Sequence, residues 1–533
     1  MNILSIHCSH HASVSIASDN KLVAHSELSR FNKQKYTPWP DINVIKKIQS
    51  LNLEYDVVLF SKLPDNCFPM YDQKLLKQMG VKDNAQIHIS DEHHLFHAAC
   101  GRSFKNNFDN YFVWDGNGAL INVDGHQGTE TYSLWNSKLD LQKRILTTTN
   151  CVDFDDGKNY LSFKNIGIGE AYMGLCRELR LFEKDLFSEG KAMALSSHGV
   201  FDEELHKRIF YKNGFNRNYM NVYNISKEIG DRAKYTTFKI YDTHKNNHEA
   251  QNYAHTFQKG VEKLGLKIVE SFKTKGSILF SGGVAQNVLL NTYLSKHIED
   301  RVEFDPICND QGISLGHLNY YLSGELERES ICYLGFKPYY DLSIFRDKFE
   351  IEDCDQTEPA IKLIDDPIAI FQGRSEQGQR GLGHRSLLMN PLHKECIKKV
   401  NKVKKREWYR PFACSILHEQ LEEYFVVDNN RSPEFMTHVF NARFFKKKEL
   451  KNVIAEDGTC RLQSVTRYRN YRLHELLRYF YDIKKCPFLL NTSLNLPGQP
   501  IVEDLQDLKD MMLNSDLKYA WLPDVQKFIT KKI

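Results

Sequence analysis

The sequence predicts a mixed α/β chain, and three observations predict it. Short alternating runs, Ile3-Leu4-Ser5-Ile6, Val14-Ser15-Ile16-Ala17 and Leu22-Val23-Ala24, are separated by a small polar loop and an Asp19-Asn20 turn, the pattern of a strand meander. The same succession recurs at Tyr111-Phe112-Val113-Trp114, then Ala119-Leu120-Ile121-Asn122-Val123, then Thr131-Tyr132-Ser133-Leu134-Trp135, with Asp115-Gly116-Asn117-Gly118 and a Gly125 turn between. The third observation is Ser277-Ile278-Leu279-Phe280-Ser281 running into Gly282-Gly283 and then a helical stretch through Leu289 and Leu290. Paired glycines at a strand-to-helix turn let a ligand approach the main chain, and the helix start beyond them favours an anion or a polar nucleotide edge.

Two strand-loop-strand units and one strand-Gly-Gly-helix element together predict a two-lobed, actin-like ATPase architecture for the first part of the chain. Residues 203–250 are rich in Asn, Lys and Tyr without an apolar period, and read as an inserted surface region or lid. Amphipathic helix resumes with Tyr253, Phe257, Val261, Leu264 and Ile268. A polar, acidic stretch at 350–358 precedes a new strand at Ile368-Ala369-Ile370-Phe371, which places the domain boundary there: 1–345 and 355–533.

A chain of 533 residues with 41% hydrophobic residues can bury large cores, which excludes disordered, fibrous and membrane-embedded classes. With 71 Lys+Arg against 68 Asp+Glu the net charge is +3, so no bulk field draws the molecule to nucleic acid or anionic lipid, and a polyanion must meet a local patch. The start of the chain lacks the basic end and apolar core of a secretion signal, and the 12 cysteines show no Cys-x-x-Cys spacing, so a cytoplasmic protein with free thiols is expected.

The sharpest constellation is Asp91-Glu92-His93-His94-Leu95-Phe96-His97. His93 and His97 are four apart, so on a helix both rings leave one face and can share a metal ion. Asp115, ending the next apolar strand, and Asp310, in Cys308-Asn309-Asp310-Gln311-Gly312, can supply oxygen ligands. Such a set suits iron, manganese or zinc; the plain alternative is an ordinary helix with surface histidines. A second constellation is cationic: Phe371-Gln372-Gly373-Arg374-Ser375-Glu376-Gln377-Gly378-Gln379-Arg380-Gly381-Leu382-Gly383-His384-Arg385 interleaves three arginines with four glycines, a pattern suited to phosphate. Lys404-Lys405-Arg406, Arg410-Pro411-Phe412 and Asp457-Gly458-Thr459-Cys460-Arg461 follow, and Asn491-Thr492-Ser493-Leu494-Asn495 closes an apolar run where a strand-end ligand would bind. The lysines around 398–406 also fit the solvated face of a helix, and the interleaved basic and aromatic residues also fit a nucleic-acid backbone. There is no Walker A sequence, Gly-x-Ser-x-Gly elbow or His-Glu-x-x-His, which disfavours P-loop, serine-hydrolase and zincin chemistry.

Taken together, His10 to Ser13, Arg30-Phe31, the 92–99 run, Asp115-Gly116, Glu189-Gly190-Lys191-Ala192-Met193, residues 281–287, Asn309 to Gly312, residues 371–386, Arg410 to Ala413 and residues 489–495 resemble the nodulation-protein and cephem-biosynthesis family of O-carbamoyltransferases over almost the whole chain. The resemblance implies an N-terminal actin-like domain similar to that of tRNA threonylcarbamoyladenosine synthesis, followed by a YrdC-like α/β domain. It implies that carbamoyl phosphate and ATP, the latter with Mg2+, form carbamoyl-adenylate in the second domain. The carbamoyl group then passes to an acceptor hydroxyl in the first domain, which holds Fe2+, or Mn2+ or Zn2+ in its place. Carried over by position, the metal ligands are His93, His97, Asp115 and Asp310. The carbamoyl-phosphate contacts are Lys404, Arg410, Arg461, Ser493 and Asn495, with Lys404 and Arg410 catalytic and Arg374, Arg380 and Arg385 as further anion contacts. The adenylate lies against Gly282, Gly283 and Asn287, and His10 is the general base. This sequence departs from the family pattern at His11, where Asp is usual, at Lys33 for Arg, at Tyr36 for His and at Gln286 for Leu.

The expected acceptor is a hydroxyl of a small molecule, a sugar or a hydroxymethyl-pyrimidine nucleotide, with no membrane partner and a homodimer as a compatible assembly. Two other functions use overlapping features. Threonylcarbamoyl transfer to tRNA would share the fold and metal but ignore carbamoyl phosphate, and a non-catalytic nucleic-acid-binding or chaperone-like ATPase module would yield at most ADP.

Overall fold

The computed structural model describes residues 1–9, 11–35, 39–61, 73–116, 118–148, 154–162, 167–181, 188–211, 214–215, 245–428 and 430–532. His10, Tyr36 and the greater part of the 203–250 insertion lie outside the described residues. The architecture is mixed α/β, as expected, and the chain forms two compact units. One comprises Met1–Ser90, Asp310–Glu407 and Pro411–Ile533; the other comprises Asp91–Asn309 with the short segment Trp408–Arg410.

The first unit opens with a five-stranded sheet. Strand Asn2–His7 pairs antiparallel with Ser13–Ser18, which pairs antiparallel with Lys21–Glu27; on its other edge it pairs parallel with Tyr55–Ser61, and that strand parallel with Val81–Ser90. The period of two divides the first strand between two cores. Leu4 and Ile6 pack with Val14, Ile16, Val44 and Ile48, while Ile3 packs on the opposite face with Ala17, Val57, Leu59 and Leu318 of helix Ile313–Tyr321. On that second face the hydroxyls of Ser13 and Ser15 each meet the Ser314 hydroxyl at 2.8 Å, so the buried polar atoms satisfy one another.

The same unit holds an eight-stranded sheet whose strands all lie between residues 349 and 531. Ile368–Phe371 is central and wholly buried, antiparallel to Arg385–Met389 and parallel to Tyr519–Leu522. Phe488–Ser493 then runs between Arg385–Met389 and Ala413–Leu417. Two contacts tie the part of this unit around the first sheet to the part around the second: a buried ion pair with Arg30 Nη1 3.6 Å from Glu503 Oε2, and a hydrogen bond from half-buried Arg374 Nη1 to the Val23 carbonyl at 2.7 Å.

The second unit repeats the first topology. Strand Asn110–Trp114 is antiparallel to His126–Asn136, which is antiparallel to Leu141–Thr147; its other edge is parallel to Ile278–Ser281, itself parallel to Val302–Phe304. The additions are a hairpin strand, Leu120–Val123, on His126–Asn136, and two short strands, Asn159–Ser162 and Phe154–Asp155, beyond Leu141–Thr147. Trp114 and Phe280 approach with ring centroids 5.0 Å apart, and Phe280 stacks on Phe304 at 4.9 Å, an aromatic seam under the loops that follow these strands. The first meander is present as read from the sequence; in the second, the run 119–123 read as the middle strand is a hairpin addition, and Leu141–Thr147 supplies the third strand.

Among the described residues no helix is long and apolar enough to cross a membrane, and ten cysteines are free thiols. Within the first unit His25 is fully enclosed, its Nδ1 2.9 Å from Ser15 Oγ. Burial, then the charges of Arg328 and Arg30, lower its pKa from 6.5 to about 3. The unfolded chain takes up this proton near 6.5 and the folded chain only near 3, so protonation favours unfolding as pH falls through that window. We expect His25→Asn to flatten the fall in thermal stability between those limits by up to about 1.4 kcal/mol per pH unit, measured by calorimetry at several pH values; an unchanged slope contradicts a neutral His25.

Candidate active site

Helix His93–Phe104 in the second unit gives the histidine pair its geometry. Ring centroids of His93 and His97 are 4.8 Å apart, their Nε2 atoms lie 3.0 and 3.6 Å from Asp115 Oδ2, and one ligand atom from each of the three lies within 4.8 Å of the others. His97 is fully buried and His93 partly so, which excludes the ordinary solvated pair. The second oxygen of Asp115 accepts from the Gly116 N–H at 2.8 Å and the Gly283 N–H at 3.2 Å. One carboxylate therefore joins the histidine face to the paired-glycine turn.

That turn tolerates only glycine at its first position. Gly282 has φ +92°, and a Cβ there would sit 2.2 Å from the Trp114 carbonyl oxygen. Asn287 is placed at the start of helix Val288–His297, but its side chain caps that helix, accepting from Leu290 N–H at 3.0 Å, and donates to Gln258 Oε1 at 3.1 Å. Gln258 in turn bonds Tyr172 and Glu262. The expected nucleotide contact at Asn287 is thus also a helix cap.

Behind the histidine face lies a group that sequence reasoning passed over. His94 Nδ1 is 2.8 Å from Ser133 Oγ, which also accepts from Trp135 Nε1 at 2.8 Å, and Glu130 is 3.7 Å from His94 and 3.8 Å from Arg144. Burial raises the Glu130 pKa to about 8, with Arg144 pulling in the opposite direction. The available signal was a lone carboxylate between two threonines inside a strand.

Asp310 opens the single turn Asp310–Gly312 in the first unit. Its Oδ2 can only accept, so the Ser9 hydroxyl, 3.2 Å away, donates to it. Ser9 then accepts from His7 Nε2 at 2.7 Å, and the opposite nitrogen, Nδ1, accepts from the Ser61 hydroxyl at 2.7 Å. This ordered chain of hydroxyls and imidazole was not foreseen either. Beside it, His11 Nδ1 is 3.4 Å from Glu27 Oε1.

In the eight-stranded sheet of the first unit, three of the expected anion contacts meet. Buried Lys404 donates from Nζ to the Ser493 carbonyl at 2.7 Å, to the Asn495 carbonyl at 2.6 Å and to Asn495 Oδ1 at 2.6 Å, while Ser493 Oγ donates to Asn495 Oδ1 at 2.8 Å. The Arg380 loop reaches the same place, since a Cβ on Gly381 would lie 2.8 Å from Ser493 Cα. Buried amides fix that loop: Asn491 Nδ2 donates to the Gly381 carbonyl at 3.1 Å and Gln463 Nε2 to the Leu382 carbonyl at 2.7 Å. Arg461, half-buried, enters the neighbouring strand Leu462–Val465.

Arg385 and Arg374, both expected as anion contacts, also bond carbonyls of the chain itself. Arg385 has no exposed surface; its guanidinium donates to the carbonyls of Gln372, His384, Gly373 and Glu503 at 2.6–3.2 Å and lies 3.6 Å over the Phe371 ring, so it organises the loop. Arg374 commits Nη1 to the Val23 and Gly335 carbonyls. Glu376, also unforeseen, gathers the same run by accepting from the N–H groups of Leu382, His384 and Arg385. Arg410 belongs by its packing to the second compact unit, whereas Lys404 belongs to the first.

Family models described as Carbamoyltransferase N-terminus and Carbamoyltransferase C-terminus match residues 65–317 and 362–529. The chain is 30% identical to protein MJ1051 of Methanocaldococcus jannaschii over 66% of its own length and 70% of that protein. It is 26% identical to Nodulation protein NolNO of Sinorhizobium fredii over 95% and 77%, and 34% identical to Nodulation protein NolO of Bradyrhizobium diazoefficiens over 45% and 47%. Among solved structures, T. kodakarensis HypF superposes with a TM-score of 0.34 at 13% identity, covering 61% of this chain and 49% of that one, a distant likeness.

The glycine turn yields the first test of this geometry. Gly282→Ala should destabilise the protein by about 2 kcal/mol or more, because the added Cβ meets main chain and the positive φ strains any L side chain. Urea denaturation reads the change, and an unshifted midpoint contradicts the close approach.

Proposed function

This chain belongs to the carbamoyltransferase family and is an enzyme of that kind, and from that premise we propose that it is an ATP-dependent O-carbamoyltransferase with a metal-assisted transfer site. The observation that carries the proposal is the pairing of two chemically different sites in a chain matched by both family models: an imidazole–carboxylate cluster on one sheet and a Lys–Ser–Asn cluster on another.

The N-terminal region is read as a two-lobed actin-like domain, supported by the repeated strand topology, and the C-terminal region as YrdC-like. In the latter, Lys404, Ser493, Asn495 and Arg461 bind carbamoyl phosphate, with Arg380 and Arg410 as further anion contacts. Water releases phosphate and leaves carbamate, whose oxygen attacks the α-phosphorus of magnesium-bound ATP; pyrophosphate departs and carbamoyl-adenylate remains. Lys404 supplies a positive charge held by three oxygen acceptors, suited to the charge that develops on the phosphates.

The donors of His93, His97 and Asp115 fit a first-row divalent ion, since two imidazoles and a carboxylate converge within 4.8 Å in a largely buried setting. Asp310 is proposed as the fourth ligand, and iron as the metal. When bound, the ion supplies Lewis-acid polarisation. The chain's own residues do the rest: Asp115 orients the ring face and the Gly283 N–H together, and the Gly282–Gly283 turn lets the adenylate lie against main chain. The acceptor hydroxyl attacks the carbamoyl carbon, AMP leaves, and the hydroxyl proton passes to a base, for which His10 is the candidate.

Formation of AMP and pyrophosphate that depends on carbamoyl phosphate tests the reading, and its absence overturns it. Lys404→Met should reduce pyrophosphate release at least a hundredfold, on the order of removing one charge-assisted set of donors, while leaving the metal content unchanged. His97→Ala should do the reverse, lowering the metal bound per chain by elemental mass spectrometry while pyrophosphate release persists. Loss of both properties in either variant argues against two separate sites.

A further inference from the structure

The segment after strand Leu462–Val465 reads Arg467-Tyr468-Arg469-Asn470-Tyr471-Arg472, guanidinium and phenol groups interrupted by one amide. Neither site described above uses it. Asn470 is buried and committed: its Oδ1 caps helix Tyr471–Lys484 by accepting from Leu473 N–H at 3.1 Å, and it also accepts from the Gln372 amide at 3.1 Å. The Arg469 N–H donates to Thr466 Oγ1 at 3.2 Å and the Asn470 N–H to the Thr466 carbonyl at 3.1 Å. The main chain here is thus a pinned turn, and it directs the other side chains outward. Tyr468 is 91% exposed and Tyr471 44%, and the side chains of Arg467 and Arg469 are 67% and 40% exposed.

Each phenol has guanidinium company. Arg467 and Arg472 lie 5.1 and 5.7 Å from the Tyr471 ring centre and Arg469 lies 5.9 Å from that of Tyr468. Two carboxylates stand close, Glu475 at 3.8 Å from Arg467 and Glu434 at 3.4 Å from Arg469. In both pairs the guanidinium is the more exposed partner, 67% and 40% against 17% and 28% for the carboxylates, and each contact is long enough to leave guanidinium N–H groups toward solvent. The helix start adds a partial positive charge. Since the net charge of +3 provides no bulk attraction, a polyanion needs a local cationic patch of this kind.

We propose that residues 467–472 form a docking surface for single-stranded nucleic acid, the arginines pairing with successive phosphates and the two exposed rings stacking on unpaired bases. A duplex would engage the arginines but leave the rings without a partner, because its bases are stacked on one another. The acceptor hydroxyl is then carried by a nucleotide of such a strand, an assignment that rests on the carbamoyl transfer proposed above.

Fluorescence anisotropy of the full chain with a labelled oligothymidylate of about twelve nucleotides tests the surface. The expected result is binding that Tyr468→Ser with Tyr471→Ser weakens roughly tenfold or more. Arg467→Gln with Arg469→Gln should lower the dependence of log affinity on log salt by about 0.7 for each phosphate no longer neutralised. Phe444→Ser, at a ring 86% exposed elsewhere in the same unit, should leave binding unchanged. The proposal is overturned by absence of binding, by indifference to the tyrosine pair, by tighter binding of a duplex of equal length, or by attachment to anionic phospholipid vesicles without attachment to the oligonucleotide. Pyrophosphate release dependent on carbamoyl phosphate, assayed on the same variants without oligonucleotide, should stay unchanged, so failure of docking and failure of the carbamoyl chemistry are read separately.

Discussion

The Asp115 carboxylate is the contact on which the imidazole–carboxylate cluster depends. One oxygen faces the imidazoles of His93 and His97, and the other accepts the main-chain N–H groups of Gly116 and Gly283. A carboxylate only accepts, so its two oxygens can serve a cationic or metal-facing side and a peptide-facing side at once, and moving it would disturb both. It sits at the end of strand Asn110–Trp114, parallel to the strand that delivers Gly283, so sheet register sets its position. The aromatic seam of Trp114, Phe280 and Phe304 makes that register stiff.

The same economy governs the cationic region. Lys404 and Arg385 are both buried cations whose donors end on main-chain or amide oxygens, yet they serve different ends. Lys404 gathers the end of strand Phe488–Ser493, where Ser493 and Asn495 present polar atoms at a partly open position. Arg385 gathers the loop 371–385 from within, with Glu376 accepting three N–H groups of the same loop. Loop and strand are then clamped by the Asn491 and Gln463 amides, which leave a glycine against Ser493.

The histidine pair was legible in the sequence because helical spacing alone brings His93 and His97 to one face, and Asp115 because a strand end followed by Gly is a fixed place in an α/β sheet. The first meander was legible because hydrophobic alternation is local, whereas in the second the short run 119–123 alternates like a core strand but pairs as a hairpin on His126–Asn136. The role of Arg385 was not, because a glycine–arginine run has the same composition whether its guanidinium points to a ligand or to carbonyls of its own loop. Asn287 likewise fits a nucleotide contact on spacing, and only the Leu290 N–H reveals that it also caps a helix. Glu130 and the Ser61–His7–Ser9–Asp310 chain join residues up to 301 positions apart, beyond any local pattern.

The sequence by itself determined the mixed α/β class, the first meander, the membership in the carbamoyltransferase family, and the residue types of the imidazole–carboxylate cluster and the Lys–Ser–Asn cluster, since each follows from periodicity, short spacing or ordered motifs. Tertiary structure alone decided which oxygens the buried cations Lys404 and Arg385 meet. It decided too that Arg410 packs in a different unit from Lys404 six residues earlier. The physical reason is that hydrogen-bond satisfaction of a buried charge depends on which carbonyls, carboxylates and amides distant segments bring within about 3 Å, and no local pattern encodes that meeting.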